Sequence, residues 1–227
     1  MKINKVTLYT HDLEGMENFY CTILGFKRLK KSSTVLEIKI GESILAFELS
    51  LPDEKTQYHF AFNIPSNLFK EAKEWIQLYT PLLKHNGQDE VYFERINAQS
   101  LYFYDPDENV VELIARHSLN PKIHVNQFNA DEILNIGEMN LTTEYLIHVG
   151  EMLITLGIPV RNNEKLNETS LNFMGESKDD AYILLGPARR NWYFSTKVAV
   201  VSRIRLVVNN QLQLEIDKNG LFHYKTI

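Results

Sequence analysis

Asn97-Ala98-Gln99-Ser100-Leu101-Tyr102-Phe103-Tyr104-Asp105-Pro106-Asp107-Glu108-Asn109-Val110-Val111-Glu112-Leu113 is the stretch on which the reading of this chain turns. Aromatic and β-branched side chains flank a five-residue cluster of Asp, Pro, Glu and Asn. That pattern predicts two strands, Ser100–Tyr104 and Asn109–Ala115, joined by a hairpin turn over residues 105–109.

Working backwards from the hairpin, Val91–Arg95 reads as a further strand, preceded by a polar loop over His85–Asp89. Before it, Leu68, Ala72, Trp75, Ile76 and Tyr79 fall at helical spacing, and Pro81 stops the helix. Tyr58–Ile64 is the strand that opens the unit. The order is β-α-β-β-β.

The same order precedes it. Residues 3–10 alternate, with Val6 and Leu8 on one face and Lys5, Thr7 and Tyr9 on the other. His11-Asp12 offers an N-cap, Leu13 to Leu24 carry helical spacing, and Gly25 supplies the stop. Strands are expected at Phe26–Leu29, Val35–Ile40 and Ser43–Leu49. A third, fainter copy begins at Ile136, where Ile136-Gly-Glu-Met-Asn-Leu-Thr-Thr lies on Ile3-Asn-Lys-Val-Thr-Leu-Tyr-Thr without a gap. It continues with a helix from Glu144 to about Leu156 and strands near Leu171–Gly175 and Ala181–Leu185. A strand pair, Val198–Val208 and Leu212–Ile216, has no assigned role. The expected organisation is a two-module domain over 1–117 (1–50 and 57–117), a polar linker over 118–135, and a degenerate third module over 136–227. One helix per four strands suits a curved sheet with helices outside it, and two such sheets enclose a small-molecule pocket. The fold class is therefore α+β.

Composition narrows the classes of function. The 227 residues carry a net charge of −5, which gives no basic footprint for nucleic acid. No apolar run approaches the roughly 20 residues needed to span a bilayer, so no membrane partner is expected. The single cysteine, Cys21, cannot close an intrachain disulfide, and no apolar signal region opens the chain. Both features fit a cytoplasmic protein. There is no Gly-rich phosphate loop and no His-Glu-x-x-His.

The Tyr-Phe-x-Asp-Pro-x-x-Asn-x-x-Glu-Leu run ending at Leu113, together with Tyr58-His59-Phe60-Ala61-Phe62-Asn63-Ile64-Pro65, resembles the second half of the glyoxalase, bleomycin-resistance and extradiol-dioxygenase proteins, the vicinal-oxygen-chelate superfamily. The resemblance covers residues 1–116 well and 136–216 weakly. It implies paired β-α-β-β-β modules closing a curved, barrel-like mixed sheet, and a mononuclear metal site built from strands. Its histidine and glutamate positions fall on His59 and Glu112, and its first-strand histidine falls on Lys5. The family usually has glycine where Glu108 stands, so Glu108 must take a positive φ or the turn must change type.

A lysine ammonium has no acceptor and cannot ligate a metal. His59 and Glu112 alone would hold a divalent ion (Fe, Mn, Zn or Ni) weakly, so the site reads as degenerate. Glu48 and His11 are candidates for a third ligand. Glu138, at the Lys5-equivalent place of the third copy, would line a separate pocket or face solvent. Lys5 would pair with Glu112 in place of the ion and leave His59 free, so Lys5, His59 and Glu112 are the catalytic candidates. The alternative is a purely structural ion pair. Tyr9, Asn63, Tyr102, Arg190 and Trp192 are candidates for binding a small-molecule ligand, with Arg189 or Arg190 and Trp192 able to clamp a carboxylate. Two functional readings stay open: a lyase, isomerase or dioxygenase-type enzyme, and a bleomycin-resistance-like binding protein without chemistry. Modules of this superfamily often pair between chains, which makes a homodimer an expectation.

Overall fold

The computed structural model describes residues 1–227. In the first unit, β1 (Ile3–Thr10) buries Val6 and Leu8 completely and turns Lys5, Thr7 and Tyr9 to its other face. Asp12 caps α1 (Leu13–Glu17) by accepting from the Gly15 amide at 2.8 Å. The expected single helix widens into a π-helical turn over Asn18–Ile23, and Gly25 leaves it at a φ of +85°. β2 (Arg28–Lys31), β3 (Val35–Ile40) and β4 (Ser43–Leu49) complete the unit.

The second unit comprises β5 (His59–Ile64), α2 (Phe69–Gln77), β6 (Val91–Phe93), β7 (Ala98–Tyr104) and β8 (Val110–Arg116). The third has β9 (Asn135–Thr142), α3 (Leu146–Thr155), β10 (Asn172–Met174) and β11 (Tyr182–Gly186). The tail without an assigned role is a fourth unit that lacks a helix: β12 (Ile204–Val208), β13 (Leu212–Ile216) and β14 (Phe222–Thr226).

These units pair in an order that sequence adjacency does not suggest. One seven-stranded mixed sheet runs β14-β13-β12-β1-β4-β3-β2, and the other runs β10-β11-β9-β5-β8-β7-β6. The first unit therefore pairs with the fourth and the second with the third. The sheets do not follow the division expected at residue 117. Both inner edges that another module would use are taken within the chain, β1 by β12 and β5 by β9.

The convex faces of both sheets and all three helices share one continuous core of 48 buried side chains. The first unit's helical segment and the residue after its Gly25 stop reach across to the second sheet: Phe19 meets Phe103 at 6.4 Å and Phe26 meets Phe62 at 5.8 Å. A polar seam ties the sheets as well. Ser43 Oγ donates to the Ile3 carbonyl at 2.6 Å and accepts from the Ile136 amide at 3.1 Å. Beside it, Gly41 sits at a φ of +53°, where a Cβ would come within 2.0 Å of the Leu134 carbonyl oxygen, so only glycine permits this approach. The expected linker over 118–135 is a packed strap. Phe128 lies 5.4 Å from Trp75, the Asn120 side chain donates to the Ile64 carbonyl, and Asn129 and Glu132 form a reciprocal cap over a short 3-10 turn.

Candidate metal centre

Three adjacent strands in the middle of the second sheet bring the functional side chains together. Across the registers, Ala61 on β5 faces Glu112 on β8 and Glu138 on β9. His59 stands two residues along on the same face of β5. The Ala61 methyl between two carboxylates leaves room above it. The ligand atoms of His59, Glu112 and Glu138 all lie within 4.8 Å of one another, and all three residues are buried.

The orientation of each group suits a cation. His59 Nδ1 donates to the Val110 carbonyl at 2.9 Å, which fixes the tautomer and leaves the Nε2 lone pair facing the carboxylates. Nε2 stands 3.5 Å from Glu112 Oε2, too far for a good hydrogen bond. Burial lowers the His59 pKa, which keeps the ring neutral. Glu112 is pushed up to about 8, first by burial and then by the charge of Glu138, with the Ser100 and Tyr102 hydroxyls beside it opposing the shift. Glu138 forms an ion pair with Arg116, a guanidinium almost fully enclosed at the end of β8 and 5.3 Å over the Tyr182 ring. One imidazole nitrogen and two carboxylates, converging without hydrogen bonds from His59 to either carboxylate, form a donor set that fits a divalent ion.

Above this floor opens a cavity of about 250 Å³. Its walls are mainly aromatic and aliphatic, including Phe93, Tyr102, Phe173, Leu184, Trp192 and Tyr193, with Arg190 as the added cation. Trp192 lies 5.0 Å from the His59 ring, and Tyr102 lies 6.2 Å from it.

Of the residues expected in the site, His59, Glu112, Tyr102, Arg190 and Trp192 meet here. The others do not. Lys5 lies in the first sheet with its ammonium 2.6 Å from Glu37, so the pairing with Glu112 does not form. Glu48 is also in the first sheet, 3.5 Å from Arg205, and His11 is held by the Glu54 carbonyl at 2.8 Å. Tyr9 accepts from Arg205 at 3.0 Å and lies under Arg203 at 3.5 Å. Asn63 donates to the Asn135 side chain and the Asp180 carbonyl, which gives it a structural place between strands. All these corrections have one cause: the second unit's partner is the third unit, not the first. Glu138, which the gapless overlay placed opposite Lys5, thereby converges with His59 and Glu112 instead of lining a separate pocket.

Comparison with known proteins agrees with this architecture. The model for the "Glyoxalase/Bleomycin resistance protein/Dioxygenase superfamily" matches residues 2–113. The chain belongs to this superfamily, the vicinal-oxygen-chelate proteins. A second model, "Toxoflavin-degrading enzyme", matches residues 136–190, the part of this superfamily member that carries Glu138 and Arg190. Among solved structures, the "putative dioxygenase from Bacillus subtilis subsp. subtilis str. 168" matches 100% of this chain and 84% of its own, at 14% identity and a TM-score of 0.63, a likeness of fold. Lactoylglutathione lyase from Agrobacterium tumefaciens is 23% identical over 49% of this chain and 90% of its own, with a TM-score of 0.40. A point mutant of the genomically encoded fosfomycin resistance protein FosX from Listeria monocytogenes, complexed with Mn(II) and 1S,2S-dihydroxypropylphosphonic acid, is 25% identical over 51% and 89% respectively, with a TM-score of 0.39. A comparison with the curated proteins finds no match.

Proposed function

We propose that this protein is a metal-dependent enzyme of the vicinal-oxygen-chelate type. Its ion is held by His59, Glu112 and Glu138, and it converts a small organic molecule bound in the cavity above them. The observation that carries the reading is the convergence of three buried donors, from three neighbouring strands, at the floor of a largely apolar pocket. The site is thus read as complete, with Glu138 in the place sought for Glu48 or His11. One nitrogen and two carboxylate oxygens favour Mn(II) or Fe(II) over Zn(II) or Ni(II). A bound ion supplies a Lewis acid that polarises adjacent oxygen atoms of the substrate.

The chain's own residues set the conditions for that chemistry. Val110 orients His59, and Arg116 holds one Glu138 oxygen through its guanidinium. The aromatic walls exclude water from the floor, which strengthens every charge interaction there. The Tyr102 hydroxyl beside Glu112 can hold a proton next to the bound molecule. The match of residues 136–190 to an enzyme family supports chemistry over passive binding.

The test is metal content by mass spectrometry after loading with Mn(II) or Fe(II) and desalting. Native protein is expected to retain about one ion per chain, as ligation by a preformed site implies. His59→Ala and Glu138→Ala are expected to lose it, and Lys5→His to leave it unchanged. A native protein that retains no ion, or a Glu138→Ala variant that keeps it, rejects the assignment.

A further inference from the structure

We propose that the cavity takes a planar aromatic ligand bearing an anionic substituent, with the ring against Trp192 and Tyr193 and the anion on Arg190 rather than on the ion. This deepens the reading above, because it uses the same cavity.

Arg190 is the first reason. It lies half-buried in the pocket wall, yet no acidic side chain pairs with it, and burial alone lowers its pKa. Its side chain makes one hydrogen bond in the chain, from a terminal nitrogen to the Asn191 carbonyl at 3.2 Å, and its Nε has no partner. Three other buried or half-buried arginines are paired, Arg116 with Glu138, Arg203 with Glu54, and Arg205 with Glu48 and Glu215, while Arg161 spends its charge on the Phe173 and Tyr182 rings. A half-buried cation left unpaired is costly, and an incoming anion removes that cost.

The second reason is the shape of the wall. The Arg190 guanidinium lies 4.5 Å over the Trp192 ring, and Trp192 lies 5.0 Å from His59, so three flat groups run from the pocket wall to the metal floor. Trp192 is buried with its indole N–H unpartnered, a second donor at the same wall. Phe93, Tyr102, Phe173 and Tyr193 supply further flat surfaces, and about 250 Å³ suits one or two fused rings. Carboxylates are confined to the floor, so the donors at Arg190 and Trp192 favour an acceptor group on the ligand.

The probe is naphthalene-2-carboxylate, followed by quenching of Trp192 fluorescence in a Trp75→Phe background and by calorimetry, with metal-loaded and chelator-treated protein. Saturable binding is expected, weakened about tenfold or more in Arg190→Gln, as loss of a charge-assisted contact implies. Naphthalene-2-carboxamide and cyclohexanecarboxylate should bind at least about tenfold more weakly, for lack of charge and of planarity respectively. Arg189→Gln, a change at the exposed neighbour, serves as the control and should bind like native. Absence of naphthoate binding overturns the proposal. So does equal affinity in Arg190→Gln, or equal affinity for cyclohexanecarboxylate. Binding abolished by chelation yet indifferent to Arg190→Gln places the anion on the ion and overturns it too. Metal-free protein that still binds naphthoate through Arg190 sustains the ligand assignment even if the metal assignment fails.

Discussion

At the scale of single residues, two carboxylates crowd one floor. Glu112 and Glu138 share one buried floor, and Glu112 rises to about 8. Metal-free protein therefore holds a proton on Glu112 that the unfolded chain releases above about pH 4.5. For an acid whose folded pKa is raised, stability is greatest below the unfolded value and falls as pH climbs towards the folded one. Urea midpoints of chelator-treated protein should drop between about pH 5 and 8, and Glu112→Gln should flatten that slope. Metal affinity should move oppositely, rising by up to about tenfold per pH unit until about pH 8 as the ion displaces the proton. A flat metal affinity over this range would contradict the assigned ligand. Arg116 acts through Glu138, so Arg116→Met is expected to weaken metal binding by about 10- to 100-fold in titrations with a competing chelator, with the ligands still in place.

Elements explain why the Asp-Pro-x-x-Asn turn is not itself the site. In the turn between β7 and β8, the Asp105 carboxylate accepts from the Asp107 and Asn109 amides, the Asn109 side chain and the Tyr20 hydroxyl, all at 2.9–3.1 Å. Asn109 in turn accepts from the Tyr58 amide at 3.0 Å. The Asp-Pro-x-x-Asn run is thus a staple that fixes β5 against β8 and so sets His59 relative to Glu112. Of the two outcomes open for the missing glycine, Glu108 takes the positive φ, at +59°. Asn109→Ala should cost about 2–4 kcal/mol in denaturant unfolding, since it strands the buried Tyr58 amide and part of Asp105. The hairpins, helices and their repeat were readable because periodicity and turn chemistry are local. Which unit lies beside which was not, because Lys5 and Glu138 occupy equivalent places in copies that look alike. Choosing between them depends on long-range edges, β1 with β12 and β5 with β9, that leave no short-range trace. The one signal available was the gapless overlay that put Glu138 on the first-strand ligand position.

The whole molecule is two nested halves: the first sheet draws strands from both ends of the chain, and the second is built from its middle. A cut after Val125, in the exposed part of the strap, would leave β1 and β5 on one fragment without β12 and β9 on the other. Each fragment alone should be metal-free and prone to aggregate through its open edges. Co-expressed, the two should copurify and recover metal, read by the same mass-spectrometric measurement. Recovery of metal by residues 1–125 alone would contradict the pairing.

The two sheets are also related place for place, and the consequences differ sharply. By register, the counterparts of His59, Glu112 and Glu138 in the first sheet are Lys5, Ala46 and Arg205. There the concave face is filled by Lys5 on Glu37 and by Arg205 between Glu48 and Glu215, a cross-linked floor with no need of an ion. A saturation scan of the full chain would therefore see a lopsided protein. Near Lys5 and Arg205, swaps that preserve bulk should pass with small losses of fold. At Ala61, even a methyl more would crowd the gap between two carboxylates and silence one cup while the other stood unchanged.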